Sequence, residues 1–249
     1  MSEGRVPRLC VEASLAAGGA VELAPGQAHH LRSVLRLGSG AAVAAFNATD
    51  GEWLCHIAEV GRSRTRLTVG HRLRSSMAEP DLWLLLAPIK RARLDWLIEK
   101  ATELGVSALL PVWTARTQVE RVNLERWRAH AIAAAEQCGR LSVPELRAPE
   151  ALERVLAAWP DGRRLVVCDE SGSGEPIAAA VAGLPGGPAA VLVGPEGGFT
   201  ETELDALGKL SVVTRVGLGP RVLRAETAAI AALAVFQAIS GDWRRVRNH

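Results

Sequence analysis

The order of apolar and polar positions after residue 81 predicts strands and helices in alternation. Residues 82–87 are a continuous apolar run, which is typical of a strand buried on both faces of a sheet. Residues 91–104 have apolar side chains at helical spacing and end before Gly105. Similar patterns predict strands at residues 108–113, 165–168, 189–193 and 212–216, and helices at 123–138, after Thr200, and at 225–239. This alternation predicts an α/β domain with a mostly parallel sheet and helices on both faces.

Residues 1–74 have a different pattern, with short segments of β character separated by turns. The segments are residues 41–46, 52–60 and 65–73, and the turns between them contain Gly, Asn and Asp. Pro25 at a helix start and Gly38 at its end predict one helix over residues 26–37. We therefore expect a small barrel-like domain at residues 1–74 and the α/β domain at residues 75–249, which opens with a linker over 75–80.

Two glycine-rich turns each follow a predicted strand and precede a predicted helix. The first is LVGPEGGFT at residues 192–200, and the second is LGPRVLRAET at residues 218–227. Gly has no Cβ and lets a ligand approach the backbone closely, so the two turns indicate one composite pocket. Neither turn has the spacing of a phosphate-binding loop, and Glu196 would repel phosphate, which favours a neutral or cationic ligand. Tight strand-to-helix connections without a ligand are the alternative.

Composition and charge limit the classes of protein to consider. The 249 residues are 48% hydrophobic and 22% charged, as in a globular protein, and no run has the length of a membrane span or the pattern of a signal peptide. The net charge is +2, but nine Arg stand against six acids up to residue 74, an excess of +3 that indicates a polyanionic partner. None of the four Cys lies in a C-x-x-C pair or at metal-ligand spacing from a His. We therefore expect a cytoplasmic protein with reduced, mostly buried Cys and no metal site.

Five separated segments carry a resemblance to one family. They are the two glycine turns, HHLRSVLRLG at residues 29–38, KRARLDWLIEKATELGVSALLPVWTAR at residues 90–116, and AEQCGRLSVPEL at residues 135–146. In content and order they resemble the RsmE family of bacterial 16S rRNA uridine-N3 methyltransferases, in the SPOUT superfamily. The resemblance implies a C-terminal trefoil-knot domain, whose backbone near residues 218–226 threads a loop, and a PUA-like N-terminal barrel. It also implies S-adenosyl-L-methionine as the cofactor, a homodimer, 16S rRNA or the 30S subunit as the partner, and 3-methyluridine as the product.

With this cofactor, the glycine turns are predicted to bind the adenosine and to lie near the sulfonium. The predicted cofactor-binding residues are Leu192, Gly194, Pro195, Glu196, Gly197, Leu218, Gly219, Pro220, Leu223 and Thr227. Backbone groups of the turns could read the adenine and the sugar, while Glu196 could offset the positive charge or bond the ribose. Thr227 could instead cap or pack the helix start.

Arg224 and Glu226 are the predicted catalytic residues. Methylation at N3 of uridine removes the imide proton and leaves negative charge on O2 and O4, so it needs a base near N3 and a cationic donor near the oxygens. Arg224 fits the second role, and Glu226 is a candidate for the first. The alternative is a pair of solvated charges at a helix start, where the helix dipole favours Glu226.

Basic side chains in both domains are the predicted RNA contacts. They are Arg8, His30, Arg32, Arg36, Lys90 and Arg91. Arg32 and Arg36 are four positions apart, which would place them on one helix face. A weaker electrostatic footprint consists of Arg62, Arg64, Arg66, Arg72 and Arg74. For each of these residues the alternative is a solvated surface charge. The segment TQVERV at residues 117–122 departs from the family's pattern, because its basic residue lies one position away from the usual place.

Two other functions fit part of the sequence. A ribosome-assembly protein that binds RNA could keep the fold with an idle cofactor site, although an idle site would not need both glycine turns and Arg224. A related knotted methyltransferase could act on a ribose 2′-oxygen or on tRNA. The N-terminal barrel and the PRVLRAET segment favour uridine N3 over these.

Overall fold

The computed structural model describes residues 6–61 and 64–244, which form two compact units. The first unit contains the described residues up to 78 together with Ala135–Val143, and the second contains Glu79–Ala134 and the residues from 144 onward. Arg62, a member of the predicted electrostatic footprint, lies outside the described residues. The first unit is thus assembled from two stretches that are far apart in the sequence.

A mostly antiparallel sheet forms the first unit. Its strands are β1 (Arg8–Cys10), β2 (Ala20–Glu22), β3 (Ala42–Asn47), β4 (Gly51–Val60) and β5 (Thr65–Arg74). The hydrogen-bonded order is β1-β3-β4-β5-β2, in which β1 and β3 are parallel and the other pairs antiparallel. Thr65, Leu67 and Val69 alternate with exposed neighbours and turn one face of β5 to the core. The three longer strands were predicted, whereas β1 and β2 have only three residues each, too few to show a pattern.

The predicted helix over residues 26–37 is shorter and irregular. It consists of α1 (Pro25–His29) and a π-helical turn (His30–Val34), where the amide of Leu35 donates to the carbonyl of His30. Arg36 follows with a positive φ of 55°. The expectation that Arg32 and Arg36 share a helix face is therefore wrong, because the turn widens to bonds between residues five apart and the helix ends before Arg36. A left-handed backbone at a residue other than Gly costs about 1–3 kcal/mol, so this exposed segment is strained.

A parallel sheet forms the centre of the second unit. Its strands are β6 (Leu82–Leu86), β7 (Ala108–Trp113), β8 (Glu145–Leu146), β9 (Glu150–Ala151), β10 (Arg164–Cys168), β11 (Glu175–Pro176), β12 (Ala189–Val193) and β13 (Val213–Gly217). The order is β11-β13-β10-β12-β6-β7-β8, with β9 beside β7, and every one of these pairs is parallel. The predicted α/β class with a mostly parallel sheet is confirmed. β12 and β13 lie on opposite sides of β10, so the chain crosses β10 between them, and the carboxyl ends of β12, β10 and β13 are neighbours.

Six helices belong to the α/β part of the chain, and the four longer ones lie where local sequence signals predict them. The six are α2 (Arg91–Glu103), α3 (Leu124–Cys138), α4 (Leu152–Ala157), α5 (Ile177–Gly183), α6 (Glu201–Gly208) and α7 (Ala225–Ile239), before a 3₁₀ turn at Asp242–Arg244. Asn123 accepts a hydrogen bond from the amide of Arg126, and Thr200 and Glu203 form the predicted capping box of α6. The short α4 and α5 were not predicted. Threading of residues 218–226 through a loop stays a prediction of the resemblance.

Candidate functional site

A cavity of about 440 Å³ lies at the carboxyl ends of three neighbouring strands of the second unit. β10 contributes Cys168 and the residues after it, β12 contributes Val193 and the first glycine turn, and β13 contributes Gly217 and the second glycine turn. In open parallel sheets, ligands bind outside the carboxyl ends of the strands. The neighbouring carboxyl ends of β12, β10 and β13 therefore account for the position of the cavity, and the prediction that both turns line one pocket is confirmed.

The first glycine turn is held rigidly by its surroundings. Gly198 has a positive φ of 68°, and a Cβ at this position would overlap the carboxylate of Glu170. Arg116 donates from Nη1 to the carbonyl of Gly197 at 2.7 Å and to that of Phe199 at 3.3 Å. The capping box at Thr200 then starts α6 directly after the turn. This wall of the cavity is consequently shaped before any ligand binds.

The second glycine turn runs from β13 to the first residue of α7. Gly219 has a positive φ of 95°, and the Val222 side chain is 84% exposed. Arg224 is the N-cap residue of α7, but its side chain makes no capping hydrogen bond. Within the described chain no ion pair or hydrogen bond holds the guanidinium groups of Arg221 and Arg224. Two cationic side chains at the cavity wall thus keep their donors for a ligand.

Most of the predicted cofactor-binding residues line this cavity. Those that do are Gly194, Pro195, Glu196, Gly197, Leu218, Gly219, Pro220 and Leu223. Leu192 does not, because it is fully buried within β12 and its side chain packs in the core of the second unit, whereas the next residue, Val193, lines the cavity. Thr227 is exposed on the first turn of α7 and is not part of the lining either. Leu192 and Thr227 thus stay predicted cofactor-binding residues that lie outside the lining of this cavity.

The two predicted catalytic residues differ in their surroundings. Arg224 is exposed and lines the cavity. Glu226 is 8% exposed and lies beside the lining residue Ala225 rather than in the lining itself. Its Oε2 atom is buried with no hydrogen-bond partner, and its Oε1 atom is 3.5 Å from Nε of Arg93. The solvated charge pair that the sequence left open is therefore excluded for Glu226.

Three residues at the end of β10 were missed by sequence reasoning. Cys168, Asp169 and Glu170 all line the cavity. The sequence signal that could have identified them was their position at the end of an apolar strand, which both glycine turns share. Burial, with a smaller contribution from the charge of Glu170, raises the pKa of the Cys168 thiol to about 12. Burial would also raise the pKa of Asp169, but the Ser171 amide and the Arg215 guanidinium outweigh it and lower that pKa. The cavity wall therefore presents a neutral thiol beside an ionised carboxylate.

The predicted RNA contacts fall into exposed and buried groups. His30, Arg32 and Arg36 are exposed in the first unit, and Lys90 and Arg91 are exposed at the start of α2 in the second. Arg8 is different, because only 8% of its side chain is exposed and its guanidinium lies over the Phe46 ring. Its donors bind Glu52 and the main-chain carbonyls of residues 135, 136 and 140. Arg8 is thus an internal cap of the end of α3, an arrangement that does not support its predicted contact with RNA.

The described residues offer neither a metal site nor a membrane-spanning helix. Among residues 6–61 and 64–244, no three His, Cys, Asp or Glu side chains come together in a way that could hold a metal ion. None of the helices in the same part of the chain has the length and apolar character needed to cross a membrane. The cavity with its two glycine turns remains the candidate site.

Known proteins similar to this chain place the site in a family. Residues 77–237 match a family described as RNA methyltransferase domain, and residues 23–72 match one described as RNA methyltransferase PUA domain. The chain is 32% identical to ribosomal RNA small subunit methyltransferase E of Rickettsia conorii over 91% of its length and 93% of the relative's. It is 33% identical to the protein of the same name from Bacillus subtilis, over 83% and 85% of the two lengths.

A solved structure agrees with this match. Ribosomal RNA small subunit methyltransferase E from Neisseria gonorrhoeae, bound to S-adenosyl methionine, superposes with a TM-score of 0.86 at 27% identity, covering 96% of this chain and 99% of that one. The N-terminal PUA domain and the α/β methyltransferase domain are both included in these matches. The chain therefore belongs to the ribosomal RNA small subunit methyltransferase E family.

Proposed function

We propose that the protein uses S-adenosyl-L-methionine to methylate N3 of one uridine in the 16S rRNA of the small ribosomal subunit. The observation that carries the proposal is the cavity in which two glycine turns and the end of β10 meet at the carboxyl edge of a parallel sheet. Membership of the family supplies the reaction class. The chemistry of the cavity walls supports the cofactor and the uracil as the two molecules that bind there.

The cavity fits the cofactor in size and charge. About 440 Å³ is within the range of small-molecule sites, roughly 300–1,000 Å³. Asp169, Glu170 and Glu196 bring carboxylates to one cavity, which suits a ligand with a sulfonium and an amino group. The cofactor supplies a methyl group on a positively charged sulfur. We propose that backbone groups at Gly194, Leu218, Gly219 and Leu223 bind the adenosine, with Pro195, Gly197 and Pro220 shaping the walls.

The same cavity wall carries the groups that the uracil would need. Arg224 has donors with no internal partner, so it can stabilise the negative charge that develops on a uracil oxygen when N3 loses its proton. Glu226 is a carboxylate near this wall with one oxygen unsatisfied, as a proton acceptor requires. We propose Arg224 as the oxyanion donor and Glu226 as the base.

The proposal for the partner rests on the first unit and on exposed basic residues. N3 of a paired uracil is occupied by Watson–Crick hydrogen bonding, so the target base has to leave its stack to reach the cavity. His30, Arg32 and Arg36, with Lys90 and Arg91, are exposed and can contact phosphates. We propose 16S rRNA in the 30S subunit as the substrate. We also propose that the protein acts in the cytoplasm as a homodimer and that its C-terminal domain has the knotted topology.

The test uses purified protein, labelled S-adenosyl-L-methionine and 30S subunits from cells that lack the modification. After transfer, the RNA is digested and its nucleosides are separated. We expect label in 3-methyluridine, at one site and with a stoichiometry close to one. Label in another nucleoside would keep the methyltransferase and reject N3 as the target. No label, with cofactor binding measured separately, would favour an RNA-binding assembly protein.

A further inference from the structure

Glu226 is an unusual carboxylate for a well-packed unit. It is 8% exposed at the start of α7, and its Oε2 atom has no hydrogen-bond partner in the described chain. A buried polar atom without a partner costs about 1–3 kcal/mol, and more when the group is charged. Such a cost is typically retained at a site where a ligand supplies the missing donor. Ala225 and Ala228, on either side of Glu226 in α7, line the cavity.

Arg93 on α2 approaches Glu226 and a second acid together. Its Nε atom is 3.5 Å from Oε1 of Glu226, and its Nη1 atom is 3.9 Å from Oε1 of Glu196 in the first glycine turn. The Arg93 and Glu196 side chains are 35% and 38% exposed, so their pairing alone would be weak. One cation thus connects a carboxylate of the cavity wall with the buried carboxylate beside it.

Within the described residues, the other elements packed against α7 bring no further charge partner to Glu226. α7 packs on α2, α5, β10, β12 and the 3₁₀ turn. α5 and β12 contain no ionisable side chain, and the 3₁₀ turn with Asp242 and Arg244 follows the opposite end of α7. β10 has Arg164 at its start and, at its end, Cys168, whose raised pKa keeps the thiol neutral.

The remaining acids and bases of α2 have partners of their own. Asp95 pairs with Arg126, Glu99 pairs with His130, and Lys100 pairs with Glu103, while Arg91 is exposed at the helix start. On α7 itself, Arg224 is exposed on the cavity wall. Arg93 is therefore the cation that acts on Glu226 from a neighbouring element.

From these contacts we infer that Arg93 is a positioning residue, which engages one oxygen of Glu226 and orients the carboxylate so that the free Oε2 atom accepts the N3 proton of the target uracil. The inference rests on the proposed function. Arg93 contacts Oε1 at 3.5 Å, so the Oε2 atom keeps its lone pairs for the substrate. Glu196 contacts the same guanidinium at 3.9 Å from Nη1.

The proton transfer balances without a further reagent. N3 of uracil gains a methyl group in place of its proton, and the proton passes to Oε2 of Glu226. The sulfur–methyl bond of the donor breaks with its electron pair kept by sulfur, which becomes neutral. The positive charge of the sulfonium and the negative charge of the carboxylate disappear together, and Glu226 then releases its proton to solvent.

The test compares Arg93→Met, Arg93→Lys and the control Lys100→Met, which removes a cation from the same helix at its exposed pair with Glu103. Single-turnover formation of 3-methyluridine in 30S subunits is measured at one pH with saturating cofactor. Without Arg93, nothing on a neighbouring element orients the Glu226 carboxylate. We expect Arg93→Met to lower the rate constant roughly 10- to 100-fold, the loss typical of a misplaced reacting group. Arg93→Lys, which keeps a cation at this position, should restore most of the rate, and the control should match wild type.

Two further measurements separate positioning from a structural role. Binding of S-adenosylhomocysteine and the unfolding midpoint should stay close to wild type in Arg93→Met. In a Glu226→Gln background, Arg93→Met should cause no further loss of rate, because the group it acts through is gone.

An unchanged rate in Arg93→Met, or an equal loss of rate in Arg93→Lys, would overturn the inference. A loss of cofactor affinity that accounts for the whole rate effect would overturn it too. A wild-type protein that forms no 3-methyluridine would instead overturn the proposed function, so the two failures are distinguishable.

Discussion

Arg8 and Glu52 form an ion pair inside the first unit, with 8% of each side chain exposed. Glu52 also accepts from Nε of Arg74 at 2.7 Å, while Arg8 donates to the carbonyls of Ala135 and Arg140. A cation at the carbonyl end of a helix is stabilised by the helix dipole and satisfies groups that have no partner within the helix. The pair therefore joins β1, β4 and the end of α3 into one interior.

Replacing Glu52 by Gln should destabilise the first unit. The change leaves the buried guanidinium of Arg8 without its carboxylate, and breaking a buried pair in this way costs about 3–5 kcal/mol. Urea denaturation near neutral pH measures the loss. Glu59→Gln is the matched control, because Glu59 is exposed on the same strand and should change the free energy of unfolding by no more than about 0.5 kcal/mol. An equal effect of the two substitutions would contradict the prediction.

The contribution of Glu52 should also depend on pH. Burial raises its pKa, but hydrogen bonds and charge from Arg74 and Arg8 outweigh burial and lower the pKa below its ordinary value of 4.5. The stabilisation is then complete above 4.5 and is lost as the pH falls through the lower, folded-state pKa. The difference in stability between wild type and Glu52→Gln should shrink in that acidic range. Denaturation at a series of pH values checks the sign, and a difference that grows on acidification would refute it.

Gly198→Ala should damage the first glycine turn. The φ of 68° disfavours any residue with a Cβ, and the new methyl group would overlap the Glu170 carboxylate. We expect a loss of more than about 1 kcal/mol in stability and at least a tenfold weaker affinity for S-adenosylhomocysteine by calorimetry. Gly208→Ala is the control, since Gly208 lies in α6 with open space around its Cβ position, and it should be neutral or slightly stabilising.

Arg224→Ala should slow methyl transfer while cofactor affinity is kept. Removing a donor that stabilises a developing oxyanion typically costs about 10²–10³-fold in kcat. Single-turnover rates and calorimetric titration with S-adenosylhomocysteine measure the two effects separately. Arg154→Ala, on α4 and away from the cavity lining, provides the control for loss of one cation. Undiminished turnover in Arg224→Ala would remove this residue from the mechanism.

Cys168 should behave as an inert wall of the cavity. With a pKa of about 12, only about one thiol in ten thousand is ionised at pH 8, and the thiolate is the reactive form. Alkylation at that pH, followed by mass spectrometry, should label Cys168 in the native protein far more slowly than in the urea-unfolded protein. Cys168→Ala should keep methyl transfer within a few-fold of wild type. Rapid labelling in the native state would show that the site is open enough to ionise the thiol.

Local signals made part of this structure predictable. The glycine turns were visible because turn chemistry depends on neighbouring residues, and the capping box at Thr200 has a fixed three-residue spacing. The long strands and helices followed from their apolar period. The place where the two turns meet followed from a general property of parallel sheets rather than from either turn alone.

What could not be predicted depends on contacts between distant residues. Arg8 looks like a surface cation in the sequence, and its burial follows from carbonyls that lie 127 to 132 positions later. The approach of Arg93 to Glu226 depends on how α2 and α7 pack, which apolar periodicity does not specify. The left-handed Arg36 gave no signal either, because the same letters fit a regular helix.

The contacts of Arg8 also have a consequence for how the chain is made. Synthesis is vectorial, so β1 leaves the ribosome long before the carbonyls of Ala135 and Arg140 exist. Until residues as far as 143 have emerged, Arg8 and Glu52 have only part of their native surroundings. The N-terminal sheet therefore does not contain all of its native contacts by itself. A fragment that ended at the linker would lack the end of α3, and the Arg8 guanidinium would be exposed to solvent.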